Sequence, residues 1–247
     1  MAGHSHSANI ARRKGLVDAK RSKQFSKLAR AIIVAARHGG GDPNANLDLK
    51  YAIDRAKAVS LPKDTIERAI KRGTGELTDG NQLESAVYEA VGPNGTFFLI
   101  EILTDNRNRT APQIRKILER RNAHLGTCAW AFERKGIVLV PKSAVAEDAL
   151  MDIVVEAGAE DMTQSGDYFE ITAAPADFEP VRSALVAKEI AIEDASLVQT
   201  PTTAVPVDED AGAKLMQLIE ELDDHDDVQN VYTNIEFPDS LLAKREG

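Results

Sequence analysis

The stretch GIVLVPKSAVAEDALMDIVVEAGAEDMTQSGDYFEITAAPADFEPVRSALVAKEIAIEDASLVQ, residues 136–199, decides the fold. Gly136–Val140 is a short β-branched run, and Ala146–Ala157 carries apolar residues at helical spacing. Tyr168–Thr172 alternates as a strand, Phe178–Ala187 returns to the helical period, and Ile192–Gln199 alternates again. The order βαβαβ is close to the split βαβ arrangement of ferredoxin-like units. Upstream, Val87–Val91 and Thr96–Leu103 read as strands joined across the turn cluster Gly92-Pro93-Asn94-Gly95. Ala111–Arg121 then reads as a helix and Thr127–Phe132 as a strand. Downstream, Thr200–Val207 with its two prolines is a connector, Ala211–Leu222 a helix and Val228–Phe237 a strand. Neither flanking piece closes a sheet alone. The expectation is an α+β chain in which residues 79–134 plus 205–240 form one discontinuous ferredoxin-like domain, and residues 135–204 form a second one inserted into it.

Residues 1–78 follow different rules. No apolar period runs through residues 1–15, which read as a flexible basic arm with Arg12, Arg13 and Lys14 at its base. A helix is expected over Val17–His38, because Phe25, Leu28, Ala29, Ile32 and Ile33 form one stripe. The Gly39-Gly40-Gly41 run ends it. Asp42-Pro43 or Asn46 can cap a second helix whose inward face is Leu49, Ala52, Ile53 and Ala56. Pro62 suits the first turn of a third helix, with Gly73 just past its end. These segments make a basic three-helix domain, and the polar stretch 74–82 is a linker.

The net charge of −9 hides a strong asymmetry. Residues 1–75 hold 16 Lys/Arg against 6 Asp/Glu, and residues 76–247 hold 14 against 33. A basic segment on an acidic body points to a polyanionic partner met basic end first. Lys20, Lys23, Lys27, Arg30 and Arg37 are spaced 3, 4, 3 and 7 apart, which places them on the helix face opposite the apolar stripe. Arg68, Lys71 and Arg72 add cations from the third helix. Like charges at this spacing repel unless an anion neutralises them. The plainer alternative is a solvated amphipathic helix. Residues 1–75 carry only Phe25, committed to the core, and Tyr51 as aromatics, so contacts to the phosphate backbone are expected rather than base stacking.

No catalytic constellation is visible. There is no phosphate-binding loop, dinucleotide glycine fingerprint, nucleophile elbow or zinc-helix histidine pair. An enzyme is not expected, nor is a cofactor, a small-molecule substrate or a metal. The one metal alternative is Ala2-Gly3-His4, which could wrap Cu(II) or Ni(II) through His4 if Met1 is removed. Cys128, the single cysteine, reads as a core residue in a strand, consistent with a reducing compartment. The acidic run Asp223, Asp224, Asp226 and Asp227 reads as a solvated loop. Thr104-Asp105-Asn106-Arg107-Asn108-Arg109-Thr110 sits where a strand hands over to a helix. It is either a self-capped turn or a polar site built on Asn106, Arg107 and Arg109. No apolar run is long enough to span a membrane and no signal peptide is apparent, so a cytoplasmic location without a membrane partner is expected.

Several stretches together resemble the YebC family, which includes the mitochondrial translational activators of cytochrome c oxidase. They are Gly3-His4-Ser5, AARHGGGDPNAN at 35–46, PKDTIERAIKRG at 62–73, YEAVGPNG at 88–95, TDNRNRT at 104–110, FERKG at 132–136, EAGAED at 156–161 and VYTNIE at 231–236. The resemblance implies a three-domain, non-catalytic regulator of gene expression. Family members are described as DNA-binding transcription regulators, and others look like factors that relieve stalled ribosomes. The chain departs from the usual pattern at His6-Ser7 (usually Lys-Trp), at Leu47-Asp48 (usually Pro-Arg) and in a shortened Leu125–Phe132. It reads as a divergent paralogue. The resulting expectation is a ribosome- or RNA-associated translation factor contacting ribosomal RNA. The alternatives are a DNA-binding transcription regulator and, third, a protein-interaction scaffold.

Overall fold

The computed structural model describes residues 21–77, 83–238 and 240–241. The first unit is helical: α1 (Arg21–Gly39), α2 (Leu47–Ala58) and α3 (Lys63–Gly73). Ile32, Ile33, Ala35 and Ala36 of α1 are buried against Leu49, Ile53 and Ala56 of α2 and Ile66 and Ala69 of α3, while Phe25, Leu28 and Ala29 cover the edge. The apolar stripe therefore points where its period places it. Asn46 is the cap of α2. Its Oδ1 accepts the Leu49 N–H at 3.1 Å, and its Nδ2 donates to the carbonyls of Ala35 and Gly40, both at 2.8 Å. One buried amide thus closes the end of α1 and the start of α2 together. Asn46→Ala is expected to cost about 1–3 kcal/mol, since a lost cap is joined by two carbonyls stripped of a donor. Urea denaturation followed by circular dichroism measures it.

Gly73 has a different task. A Cβ there would lie 2.6 Å from both Ala36 Cβ and the Ile33 carbonyl oxygen, and 3.3 Å from the Arg37 nitrogen. Only glycine lets the last turn of α3 touch the backbone of α1.

The middle sheet opens with β1 (Glu84–Val91) and β2 (Phe97–Thr104), an antiparallel hairpin turned through Pro93–Gly95. Helix α4 (Arg107–Arg120) and the short β3 (His124–Leu125) follow. The chain then leaves for a second sheet: β4 (Phe132–Pro141), α5 (Glu147–Glu156), β5 (Asp161–Ser165), β6 (Tyr168–Ala173), α6 (Phe178–Ala187) and β7 (Asp194–Pro201). It returns through β8 (Val205–Pro206), α7 (Glu209–Asp223), β9 (Val228–Thr233) and β10 (Ile235–Glu236). The middle sheet has the order β3-β1-β2-β9, so its last strand comes from the far end of the chain. Leu215, Leu218, Ile219 and Leu222 of α7 join Ile114 and Leu118 of α4 over Phe98, Ile100 and Val231.

The second sheet has the order β5-β6-β4-β7, with every neighbouring pair antiparallel, which is the ferredoxin-like βαββαβ pattern. The expected α+β architecture is present, with local differences; short strands at His124–Leu125 and Val205–Pro206 stand where a loop and a connector were expected. Strand β5, sequence DMTQS, was absent from the sequence reading because it is an edge strand bonded only to β6 and needs no apolar alternation. The strand expected over Thr127–Phe132 is a 3-10 turn at Ala129–Ala131, because the Glu89 carboxylate takes the N–H groups of Cys128 and Ala129 at 2.6 and 2.7 Å. The strand expected over Val228–Phe237 breaks at buried Asn234, whose side chain accepts the Phe97 N–H at 2.7 Å. Among the described residues, no helix is long and apolar enough to cross a membrane.

Candidate nucleic-acid interface

Arg12, Arg13, Lys14 and Lys20 lie outside the described residues, as does His4; Lys23 falls in α1, but its side chain is outside them. The remaining predicted cations divide into two groups. Arg37 at the end of α1 and Arg68 and Lys71 on α3 are exposed, and Arg72 is half-buried. The close approach at Gly73 sets the Lys71-Arg72 turn beside Arg37. Among the described residues, none of these four side chains forms a salt bridge. They form a basic rim without an ion-pair partner among the described residues.

Lys27 and Arg30 are different. Their face of α1 looks across at the C-terminal end of α7. Lys27 Nζ stands 3.6 Å from Asp223 and Arg30 stands 3.5 Å from Asp227 Oδ1. Arg30 also donates to the Asp226 carbonyl oxygen. Helical periodicity places these cations opposite the core, but it carries no information about a carboxylate nearly two hundred residues away. The expected continuous free row is therefore interrupted at its centre by the chain's own acidic segment.

That segment is solvated at Asp224 and Asp226, as its composition suggests, but not at its end. Asp227 is 4% exposed. Its Oδ2 accepts from Arg109 and from Thr110 Oγ1 at 2.7 Å, and from Thr104 Oγ1 at 3.2 Å. Burial by itself raises the Asp227 carboxyl, but the Thr110 and Arg109 hydrogen bonds and the Arg109 charge outweigh it and hold the group below the ordinary carboxylate range. The Thr104–Thr110 stretch is thus a receptor for one internal carboxylate. Asn106 caps α4 by accepting the Arg109 N–H at 3.0 Å. Arg107 pairs with Glu84 at 2.8 Å and donates to the Ser85 carbonyl at 2.9 Å. The turn is self-capped, and Asn106, Arg107 and Arg109 each have partners inside the chain. Arg30, Arg72, Arg109 and Asp226 line a cavity of about 600 Å³ between the helical unit and this turn.

A second junction ties α2 to the inserted sheet. Glu179 accepts from Lys50 at 2.8 Å and from the Tyr51 hydroxyl. Arg182 reaches Asp54 at 2.9 Å and lies over the Tyr51 ring, 5.3 Å from its centroid. Burial, and then the Glu179 acceptor, push the Tyr51 hydroxyl far above its ordinary value. Asp48 makes a two-pronged contact with Arg134 at 2.8 and 3.0 Å. None of these partners is legible from local sequence, since every pair joins distant segments. Cys128 is fully buried, with its Sγ near the Ala90 and Phe98 carbonyls, and burial raises its thiol. It packs as a core residue, although in a turn rather than in a strand.

Residues 5–76 match the TACO1/YebC N-terminal domain, and residues 83–235 match the TACO1/YebC second and third domains. A probable transcriptional regulatory protein of Desulfatibacillum aliphaticivorans is 47% identical over 247 residues, covering 99% of this chain and 100% of that one. One from Corynebacterium glutamicum strain R is 47% identical over 249 residues, covering 100% and 99%. The crystal structure of a conserved hypothetical protein from Aquifex aeolicus superposes with a TM-score of 0.81 at 39% identity, over 90% of this chain and 93% of that one. With both family domains matched in sequence order and relatives aligned end to end, the chain belongs to the TACO1/YebC family.

Proposed function

We propose that this chain is a non-enzymatic regulator of gene expression that grips a nucleic-acid backbone through its helical unit, and that its target is RNA on the ribosome. The observation that carries the reading is the rim of Arg37, Arg68, Lys71 and Arg72, without salt bridges among the described residues, on a chain whose remainder is strongly acidic. Phosphates supply the missing counter-charge, while the acidic domains are repelled and turn outward. The exposed face of α3 mixes Lys63, Asp64, Glu67, Arg68 and Lys71. The competing reading is a DNA-binding transcription regulator, and the names of the curated relatives favour it.

Co-sedimentation with ribosomes tests the proposal, compared with titration of duplex DNA across a salt series. The triple variant Arg37→Gln, Arg68→Gln, Lys71→Gln is expected to lose co-sedimentation. Its slope of log affinity against log salt on RNA should be shallower by about 2–3, roughly one counterion per lost phosphate contact. Wild-type binding confined to duplex DNA favours the transcription reading. A slope unchanged by the triple variant removes the rim from the interface.

A further inference from the structure

Arg37 is exposed at the end of α1 and makes no salt bridge among the described residues, and Arg30 and Lys27 continue the same helix face about two and three turns further back. A phosphodiester strand entering at the rim and tracking along α1 meets those two cations next. They are occupied by the acidic segment 223–227. We propose that Lys27 and Arg30 are a masked extension of the polyanion surface, covered by this segment as an internal stand-in for phosphate and released when a nucleic-acid strand displaces it. The inference rests on the nucleic-acid reading above.

The two sides of the segment are unequal. Toward the middle sheet, Asp227 Oδ2 is fixed by the 2.7 Å contacts from Arg109 and Thr110. Toward α1, Lys27 stands 3.6 Å from Asp223 and Arg30 stands 3.5 Å from Asp227 Oδ1. These lie beyond the ~2.7–3.2 Å range of a good N–H···O bond. The Lys27 and Arg30 side chains keep 25% and 28% exposure, so water already screens them. The remaining Arg30 contact is to a neutral carbonyl, a weaker acceptor than a phosphate oxygen. Release therefore leaves the Asp227 anchor intact. The neighbouring cavity of about 600 Å³ gives the Arg30 side chain room to turn. A segment held firmly on one side and weakly on the other can yield without unfolding either unit.

Poly(U) titrated into the full-length chain at several salt concentrations tests this with four single variants. Asp223→Asn is expected to bind about two- to fivefold tighter, the factor equivalent to an exposed ion pair. Lys27→Gln is expected to bind more weakly, with a salt slope shallower by about 0.7. Asp152→Asn removes the same charge from the exposed face of α5 and controls for the general field. Lys71→Gln reports on the rim itself. Equal tightening by Asp223→Asn and Asp152→Asn overturns the masked surface, as does an unaltered slope in Lys27→Gln. If those results appear while Lys71→Gln still weakens binding, only the masking fails and the nucleic-acid reading survives. If the wild-type chain does not bind, both fall.

Discussion

Asp227→Asn is expected to destabilise the folded chain by about 3 kcal/mol, making it one of the most damaging single polar substitutions here. The range for breaking a buried ion pair is about 3–5 kcal/mol, and the lower end applies because half-exposed Arg109 lets water take up part of its charge. The carboxylate serves Arg109, Thr104 and Thr110 with one oxygen and Arg30 with the other. An amide of the same shape carries no charge and keeps only one of the two acceptor oxygens, turning a donating NH2 toward Arg30 or toward the Arg109, Thr104 and Thr110 donors. The effect has a pH signature. The folded Asp227 carboxyl lies below its unfolded value, so its stabilisation is complete above about pH 4 and is lost as pH falls through the folded value. Denaturation at pH 7 should show the full gap between wild type and variant. The gap should narrow progressively below about pH 4. A gap that is constant across that range means that the Asp227 charge is not what is lost.

Phe178→Ala is expected to cost about 3–5 kcal/mol, the usual range for deleting a fully buried aromatic ring. The ring is 1% exposed and fills the space under Gly136, where a Cβ would lie 2.4 Å from Phe178 Cδ2. Its other neighbour is Tyr51 of the helical unit, edge-on at a centroid distance of 4.9 Å. Deleting it opens the core of the inserted sheet and also removes the platform on which α2 rests. Thermal unfolding should therefore show a lowered midpoint. Faster hydrogen exchange in α2 would distinguish a lost junction from a purely local cavity.

Much of this architecture was readable because periodicity reports which face of an element is apolar. Ile32, Ile33, Leu49, Ile53 and Ala56 are buried as their spacing requires. Asn46 sits where a cap was expected. What periodicity does not report is what a polar face touches. Lys27 and Arg30 have the same spacing whether they meet water, phosphate or Asp223, and the deciding partner comes from the far end of the chain. The same limit hid the Glu179 cluster and the burial of Asp227 at the end of a run of aspartates. Edge strand β5 was missed for the opposite reason: bonded on a single side, it leaves no hydrophobic signature to read.

The position of β9 has a consequence for how the molecule is made. Because β9 pairs with β2 although the whole inserted unit intervenes in sequence, the growing chain completes the helical and inserted units before the middle sheet acquires its final strand. Until then β2 presents a bare hydrogen-bonding edge beside Phe98, Ile100 and Ile102, an invitation to off-pathway pairing with other nascent chains. A chain cut short after the inserted unit is therefore an aggregation-prone product rather than a smaller working protein.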